Sequence, residues 1–367
     1  MVFNEVVDRS HRPTVVALYL PQYHPIPEND MWWEPGFTEW TNVARARPLY
    51  CGHRQPDLPS ELGFYDLRVS ETRDAQAALA KTYSVSAFCY YHYWFGGGQR
   101  LLQRPLNDVL ASGQPDLPFM LCWANQSWTG VWHGLGDRVL QEQTYPGSAD
   151  ERSHFFSILP ALSDRRYLRV GGKPVFMVYS PEELPDAPGF ADHWRRLAQE
   201  SGLPDLYLIA EHRDPFWDAR ANGFDAFVLM PTIPRRRSST PWSSPWQKLR
   251  NMALDTLGRP SVYQYARQQR RFVPDCASPL AIPCVLPNWD NTPRSGKRGV
   301  VLEGMTPEAF GVTLDRALTL WRKREREDDL IFVKSWNEWA EGNHLEPGQR
   351  WGRAYLEVLH AKVTAMG

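Results

Sequence analysis

The sequence predicts a (β/α)₈ barrel, and three observations carry that expectation. Eight short apolar runs of strand length punctuate the 367 residues. Amphipathic helical patterns fall between many of them. Nearly all the runs end in the same mixture of aromatic, amide and acidic residues. Near-continuous apolar strands alternating with helices imply a parallel sheet covered on both faces, and eight such units favour closure. An open doubly wound sheet is the structural alternative, but no Gly-rich dinucleotide turn follows the first run.

The first run, Val15–Leu20, leads into Pro21-Gln22-Tyr23-His24. A long loop at about residues 24–68 follows, rich in Pro, Trp and Gly, with Trp32-Trp33 and Gly36-Phe37-Thr38-Glu39-Trp40 inside it. A loop of that length in a compact domain is usually functional, and this one is expected to wall the barrel mouth. Ala75, Ala78, Leu79 and Tyr83 give Glu71–Tyr83 a helical face. The second run, Val85–Tyr90, continues into Tyr91-His92-Tyr93-Trp94. The third, Phe119–Trp123, continues into Ala124-Asn125-Gln126-Ser127-Trp128. A helical pattern at Asp150–Leu162 precedes the fourth run, Val175–Tyr179, which ends on Tyr179 itself. After the helical pattern Phe190–Glu200 comes the fifth, Leu206–Ala210, ending in Glu211-His212. Few residues then separate it from the sixth, Ala226–Leu229, and a long irregular stretch follows, containing Arg235-Arg236-Arg237. The seventh, Ile282–Leu286, ends in Asn288-Trp289-Asp290-Asn291. Past the helical pattern Pro307–Arg324, the eighth run, Leu330–Val333, ends in Trp336-Asn337-Glu338-Trp339-Ala340-Glu341-Gly342. All these endings converge on the C-terminal mouth of a barrel, where the fold carries its active sites.

Glu338 and Glu341 are the candidate catalytic residues. Glycosidic-bond chemistry needs one carboxyl group to protonate the leaving oxygen and a second to manage the anomeric centre. The candidate substrate-binding residues are the other polar and aromatic groups at the strand ends and on the first loop. From the first loop region come Gln22, Tyr23, His24, Trp33, Glu39 and Trp40; from the second and third endings, Tyr91, His92, Tyr93, Trp94, Trp123, Asn125 and Trp128. The remaining endings add Tyr179, Glu211, Trp289, Asp290, Trp336 and Asn337. Indole faces stack on the C–H face of a sugar while amides and carboxylates meet its hydroxyls. Spread over seven strand ends, they exceed what one ring can touch, so an oligosaccharide or polysaccharide is the expected substrate.

Composition narrows the class further. A hydrophobic content of 43% with 23% charged residues is that of an ordinary globular chain. A net charge of −1 gives no overall pull toward nucleic acid or an anionic membrane. No apolar run reaches transmembrane length. The N-terminus has no basic region followed by a long apolar stretch; the run at Thr14–Leu20 is only seven residues and meets Pro21, so it reads as a strand and not as a signal peptide. A cytoplasmic location is therefore expected, or a periplasmic one if a leader has been removed. Five cysteines, Cys51, Cys89, Cys122, Cys276 and Cys284, show no metal-binding or disulfide spacing. His24, His92, His212 and His344 have no i, i+4 pairing, and neither a metal nor a cofactor is expected.

Five segments together resemble the WbsX-like family, which is found with bacterial surface-polysaccharide synthesis and usually labelled glycosyltransferase. They are Gln22–Asp30, Gly36–Val43, Cys89–Phe95, Cys122–Asn125 and Trp336–Gly342, and the likeness spans about residues 14–360. The family is similar in turn to glycoside hydrolase family 99, (β/α)₈ barrels that include endo-α-mannosidases. That likeness implies roles for the two glutamates. Glu338 would act as a base on the sugar 2-hydroxyl, which attacks the anomeric carbon to give a 1,2-anhydro sugar. Glu341 would protonate the leaving group and then activate water, retaining configuration. It would need a raised pKa, for which Trp336 or Trp339 offers a low-dielectric wall. The chain departs from the family pattern at Gln126, where many members carry Glu. Two other readings stay open. A glycosyltransferase would use an activated donor, although the chain has no Asp-x-Asp and no Gly-rich phosphate loop. A non-catalytic glycan-binding domain would need the aromatics but not both glutamates.

Overall fold

The structure is a computed structural model describing residues 12–130, 138–234, 245–246, 259–324 and 328–366. The expected barrel is present. Its strands are β1 Thr14–Tyr19, β2 Ala87–Trp94, β3 Phe119–Trp123, β4 Lys173–Val178, β5 Tyr207–His212, β6 Ala226–Leu229, β7 Ala281–Val285 and β8 Leu330–Val333. Each strand pairs in parallel with its successor. β8 closes the ring on β1, with Thr14 opposite Leu330 and Ala17 opposite Val333. Val, Ile, Leu and Phe dominate these segments because a barrel strand is covered on both faces, by the interior side chains and by the helices outside.

Crossover helices follow most strands. They are Ser70–Thr82, Arg104–Ser112, Ser148–Leu162, Ala187–Glu200 and Pro307–Arg322, with Ala354–Thr364 after β8. The helix before β8 shows the local logic. Thr306 caps it by accepting the Ala309 N–H at 3.2 Å, and Pro307 occupies the first turn. Phe310, Leu314, Ala317, Leu318 and Trp321 then form its buried stripe. Between β5 and β6 the crossover has no α-helix, only the 3₁₀ turn Arg220–Asn222. The short spacing of those two runs reflects this. The helices Arg104–Ser112 and Ala354–Thr364 have no counterpart in the sequence reading.

The first loop contains two short helices, Pro27–Trp32 and Glu39–Arg45. Thr38 and Thr41 form a capping box at the start of the second. Trp40 locks this loop to the barrel. Its ring packs on Tyr23, Phe64, Tyr65 and Trp339, and its indole N–H donates to the Tyr65 carbonyl at 2.8 Å. Among the described residues no helix is long and apolar enough to cross a membrane. Arg235-Arg236-Arg237 lies outside the described residues.

Candidate active site

A cavity of about 650 Å³ opens at the C-terminal mouth. Glu338 and Glu341 line it, and so do Tyr91 and Tyr93 from β2, Tyr179 past β4, Glu211 from β5 and Trp289 past β7. The first loop contributes Gln22, Trp33 and Glu39, and Trp128 comes from the loop after β3.

Strand periodicity decides which residues reach this cavity. Side chains alternate between the interior and the helix layer. On β2 Tyr91 and Tyr93 face inward. His92 and Trp94 face outward, where both meet His154 of the helix Ser148–Leu162. His92 Nε2 lies 2.8 Å from His154 Nε2, and burial pushes the His92 pKa down to about 3. The Trp94 indole donates to Asp150 at 2.9 Å. Trp123 also sits in this outer cluster, against His154 and Phe190. These three residues support the mouth without lining the cavity.

Other predicted residues brace the loops. Asn125 and Asn337 act as peptide mimics where the strand ladder ends. Asn125 donates to the Ser180 carbonyl and accepts the Ser180 N–H, both at 2.8 Å. Asn337 accepts the Leu20 N–H at 2.7 Å and donates to the Leu20 carbonyl at 3.0 Å. Asn337→Ala strands both buried Leu20 groups and is expected to cost about 2–4 kcal/mol, measurable by denaturant titration. Tyr23 is buried beneath the Glu338 loop. Its hydroxyl bonds the Asn337 carbonyl and accepts the Trp339 N–H. Trp336 is fully buried against Phe88. His24 is buried near Asp66 and Arg68.

Asp290 faces away from the carboxylate pair, toward a neighbouring cavity. Its Oδ2 accepts from His53 Nε2 and from Gln55 Nε2, each at 2.8 Å, and its Oδ1 accepts from the Thr292 N–H and hydroxyl. Because His53 Nδ1 accepts the Leu49 N–H, Nε2 carries the proton given to Asp290. The Asp290 N–H in turn donates to the Glu341 carbonyl at 2.8 Å. Close approach there demands glycine at the next position. Gly342 has φ +52°, and a Cβ on it would lie 2.9–3.0 Å from Asp290 backbone atoms.

Two cations that sequence reasoning did not single out set the chemistry of the pair. Lys334 Nζ lies 3.2 Å from Glu338 Oε2, and Asn343 donates to the same oxygen at 3.2 Å. Arg294 bridges two carboxylates, with Nη1 2.7 Å from Glu341 Oε1 and Nε 2.9 Å from Glu39 Oε1. Burial by itself raises the Glu338 pKa, but Lys334 and Arg294 outweigh it, with a hydrogen bond from Glu341 assisting, and the net shift is downward. Glu341 moves the other way, to about 7, through burial and the charge of Glu338. Arg294 opposes that rise without cancelling it, because it is shared with Glu39. Trp339 stacks on His344, and Trp336 packs on Phe88. Glu211 is also raised to about 7 by burial. Lys334 carried a signal in the sequence, a lone lysine between a buried strand and a glutamate motif. Arg294, in Asn291-Thr292-Pro293-Arg294, carried none. Gln126, Arg213, Arg271 and the stretch Met230-Pro231-Thr232-Ile233-Pro234 also line the cavity.

Lys334→Met should move the acid limb of kcat/KM upward by about 1–3 pH units, since Glu338 loses its strongest opposite charge. Titration of the rate from pH 4 to 9, on whichever glycan is cleaved, checks this.

Among the described residues no group of three or more His, Cys, Asp or Glu side chains is arranged to hold a metal ion. His212 pairs with Glu182 at 2.9 Å and His344 with Asp57 at 3.0 Å, away from His92 and its partner.

The fold is a (β/α)₈ barrel with an acid-lined mouth. A glycoside hydrolase-like protein of known structure superposes with a TM-score of 0.58 at 14% identity, over 99% of this chain and 97% of the other. A GH99 endo-α-mannosidase from Bacteroides thetaiotaomicron superposes at 0.55 and 14% identity, over 96% and 97%. The model of the family described as Glycosyltransferase WbsX matches residues 15–359, and the chain belongs to that family. It is 38% identical to the WxcX proteins of two Xanthomonas campestris pv. campestris strains, over 96% of this chain. It spans about half the length of those relatives, 50% in each case.

Proposed function

We propose that this chain is a carbohydrate-active enzyme that cleaves or transglycosylates α-glycosidic bonds with retention. The substrate class is a bacterial surface polysaccharide or mannan-like glycan. Glu338 is the base at the sugar 2-hydroxyl, and Glu341 is the acid and then the base at the departing and arriving oxygens. One observation carries the reading: two neighbouring carboxyl groups in one cavity have pKa values driven in opposite directions. That split yields an ionised base and a protonated acid at the same pH. Both carboxyl groups line the same cavity, and the Glu338 charge is among the causes that raise Glu341. A binding domain would gain nothing from holding two carboxylates against each other at the cost of burial.

A glycosyltransferase is the second reading. Arg213 and Arg271 favour it, since both line the cavity and could meet a donor diphosphate. The deciding experiment incubates the protein with bacterial O-polysaccharides and α-mannan, following reducing ends and the first anomer formed. Calorimetry with nucleotide sugars and magnesium or manganese runs beside it. Retained reducing sugars support the hydrolase reading. Micromolar donor binding, with no affinity for polysaccharide fragments, overturns it in favour of transfer.

A further inference from the structure

The second cavity plays no part in the proposed chemistry. It measures about 670 Å³, close to the 650 Å³ of the catalytic one. One wall serves both. Trp289, Val300 and Glu341 line the catalytic side, while Asp290, Val301 and Gly342 line the other. Backbone hydrogen bonds stitch this wall together, from Asp290 N to Glu341 O at 2.8 Å and from Leu302 N to Trp289 O at 3.0 Å. The partition is thus a single layer of chain.

Two half-buried aromatic rings define the second cavity. Tyr50 stacks on His53 with ring centroids 4.6 Å apart and planes 10° from parallel. Glu303 lies near the Tyr50 hydroxyl and accepts from the Gln264 amide at 3.0 Å. Trp351 carries the Arg350 guanidinium 4.6 Å from its ring centroid. Each ring therefore has a neighbour against one face. Beneath them lies the buried His53–Asp290 pair, and Asp57, Gln264 and Glu303 offer hydrogen-bonding groups around the sides. Aromatic rings beside amides and carboxylates suit pyranose rings: the C–H face stacks and the hydroxyls meet the polar sides.

We propose that this cavity is a second glycan-binding site, holding an oligosaccharide stretch of the substrate polymer remote from the bond that reacts. A chain bound at Glu338 and Glu341 reaches it by crossing the ridge at Trp289–Asp290, so the enzyme engages polymers internally. The role in turnover rests on the proposed function; glycan binding at this site does not.

The test uses Tyr50→Ala/Trp351→Ala and, separately, Gln264→Trp, which fills the cavity from an exposed position. Probes are α-mannan and bacterial O-polysaccharides, each as polymer and as sized fragments. Calorimetry is performed on the full chain, and kinetics on any probe that is cleaved. Both variants should bind polymer at least about fivefold more weakly, and raise its KM likewise. Fragments too short to span both cavities should keep their kcat and KM. Polymer affinity unchanged in both variants overturns the second site and leaves the proposed function standing. Polymer binding that both variants weaken, with no cleavage by the wild type, keeps the site and overturns the catalytic reading. No binding of any probe by the wild type overturns the site.

Discussion

Glu341→Gln is expected to lower kcat on a natural glycan by about 10²–10⁴-fold while leaving glycan affinity within about threefold. The loss follows from the state of the carboxyl group. Burial and the neighbouring Glu338 charge raise its pKa to about 7, so it holds a proton near neutrality and gives it to the leaving oxygen. An aryl glycoside whose phenolate leaves unaided should lose far less rate in the variant. The pH profile supplies a second readout. Wild-type activity should fall as the pH rises through about 7, because the acid form is lost there. That alkaline limb should be missing from the variant acting on the activated substrate. Equal losses on natural and activated substrates would remove Glu341 from the acid role. Stability carries the same sign. A carboxyl group whose folded pKa is raised stabilises fully below its unfolded value and less as the pH climbs through about 7.

Much of this site was legible because barrel geometry forces strand endings together. The runs at Val15–Leu20 and Leu330–Val333 lie more than 300 positions apart, yet β1 and β8 are neighbours, and the loops after them meet. What stayed hidden was the direction of individual side chains. Tyr91-His92-Tyr93-Trp94 reads as one aromatic cluster, but a pleated strand sends alternate members to opposite faces. The onset of the strand and its length set which pair points inward, and both differed from expectation. The expected strand Val85–Tyr90 begins at Ala87 and runs to Trp94. Asp290 likewise follows Trp289 by one residue and so faces the other cavity. Arg294 was beyond reach for a different reason. Its partners Glu39 and Glu341 are 255 and 47 positions away, and nothing local marks an arginine on a four-residue helix as a bridge between them. The opposed pKa shifts depend on those long-range partners, so motif spacing offered the two glutamates without the electrostatics that separates their roles.

Glu338→Gln should be as damaging as loss of the acid, about 10²–10⁴-fold in kcat, but indifferent to the leaving group. The reason lies in where the charge sits. Lys334 at 3.2 Å and Asn343 at 3.2 Å both engage Oε2, holding the carboxylate ionised despite its burial. A base at the 2-hydroxyl acts in the step that forms the anhydro sugar, before or during departure, so a better leaving group does not bypass it. An amide cannot accept that proton, and Lys334 is left as a buried cation without its carboxylate. Part of the loss is therefore electrostatic, and Glu338→Asp distinguishes the two contributions: it keeps the charge beside Lys334 while withdrawing the base by one methylene. Folding should be preserved in Glu338→Asp, with turnover still depressed. A substrate lacking the 2-hydroxyl isolates the chemical role. Neighbouring-group participation requires that oxygen, so the 2-deoxy glycan should resist cleavage by the wild type even with an activated leaving group. Cleavage of the 2-deoxy glycan at the normal rate would mean that Glu338 works directly at the anomeric carbon.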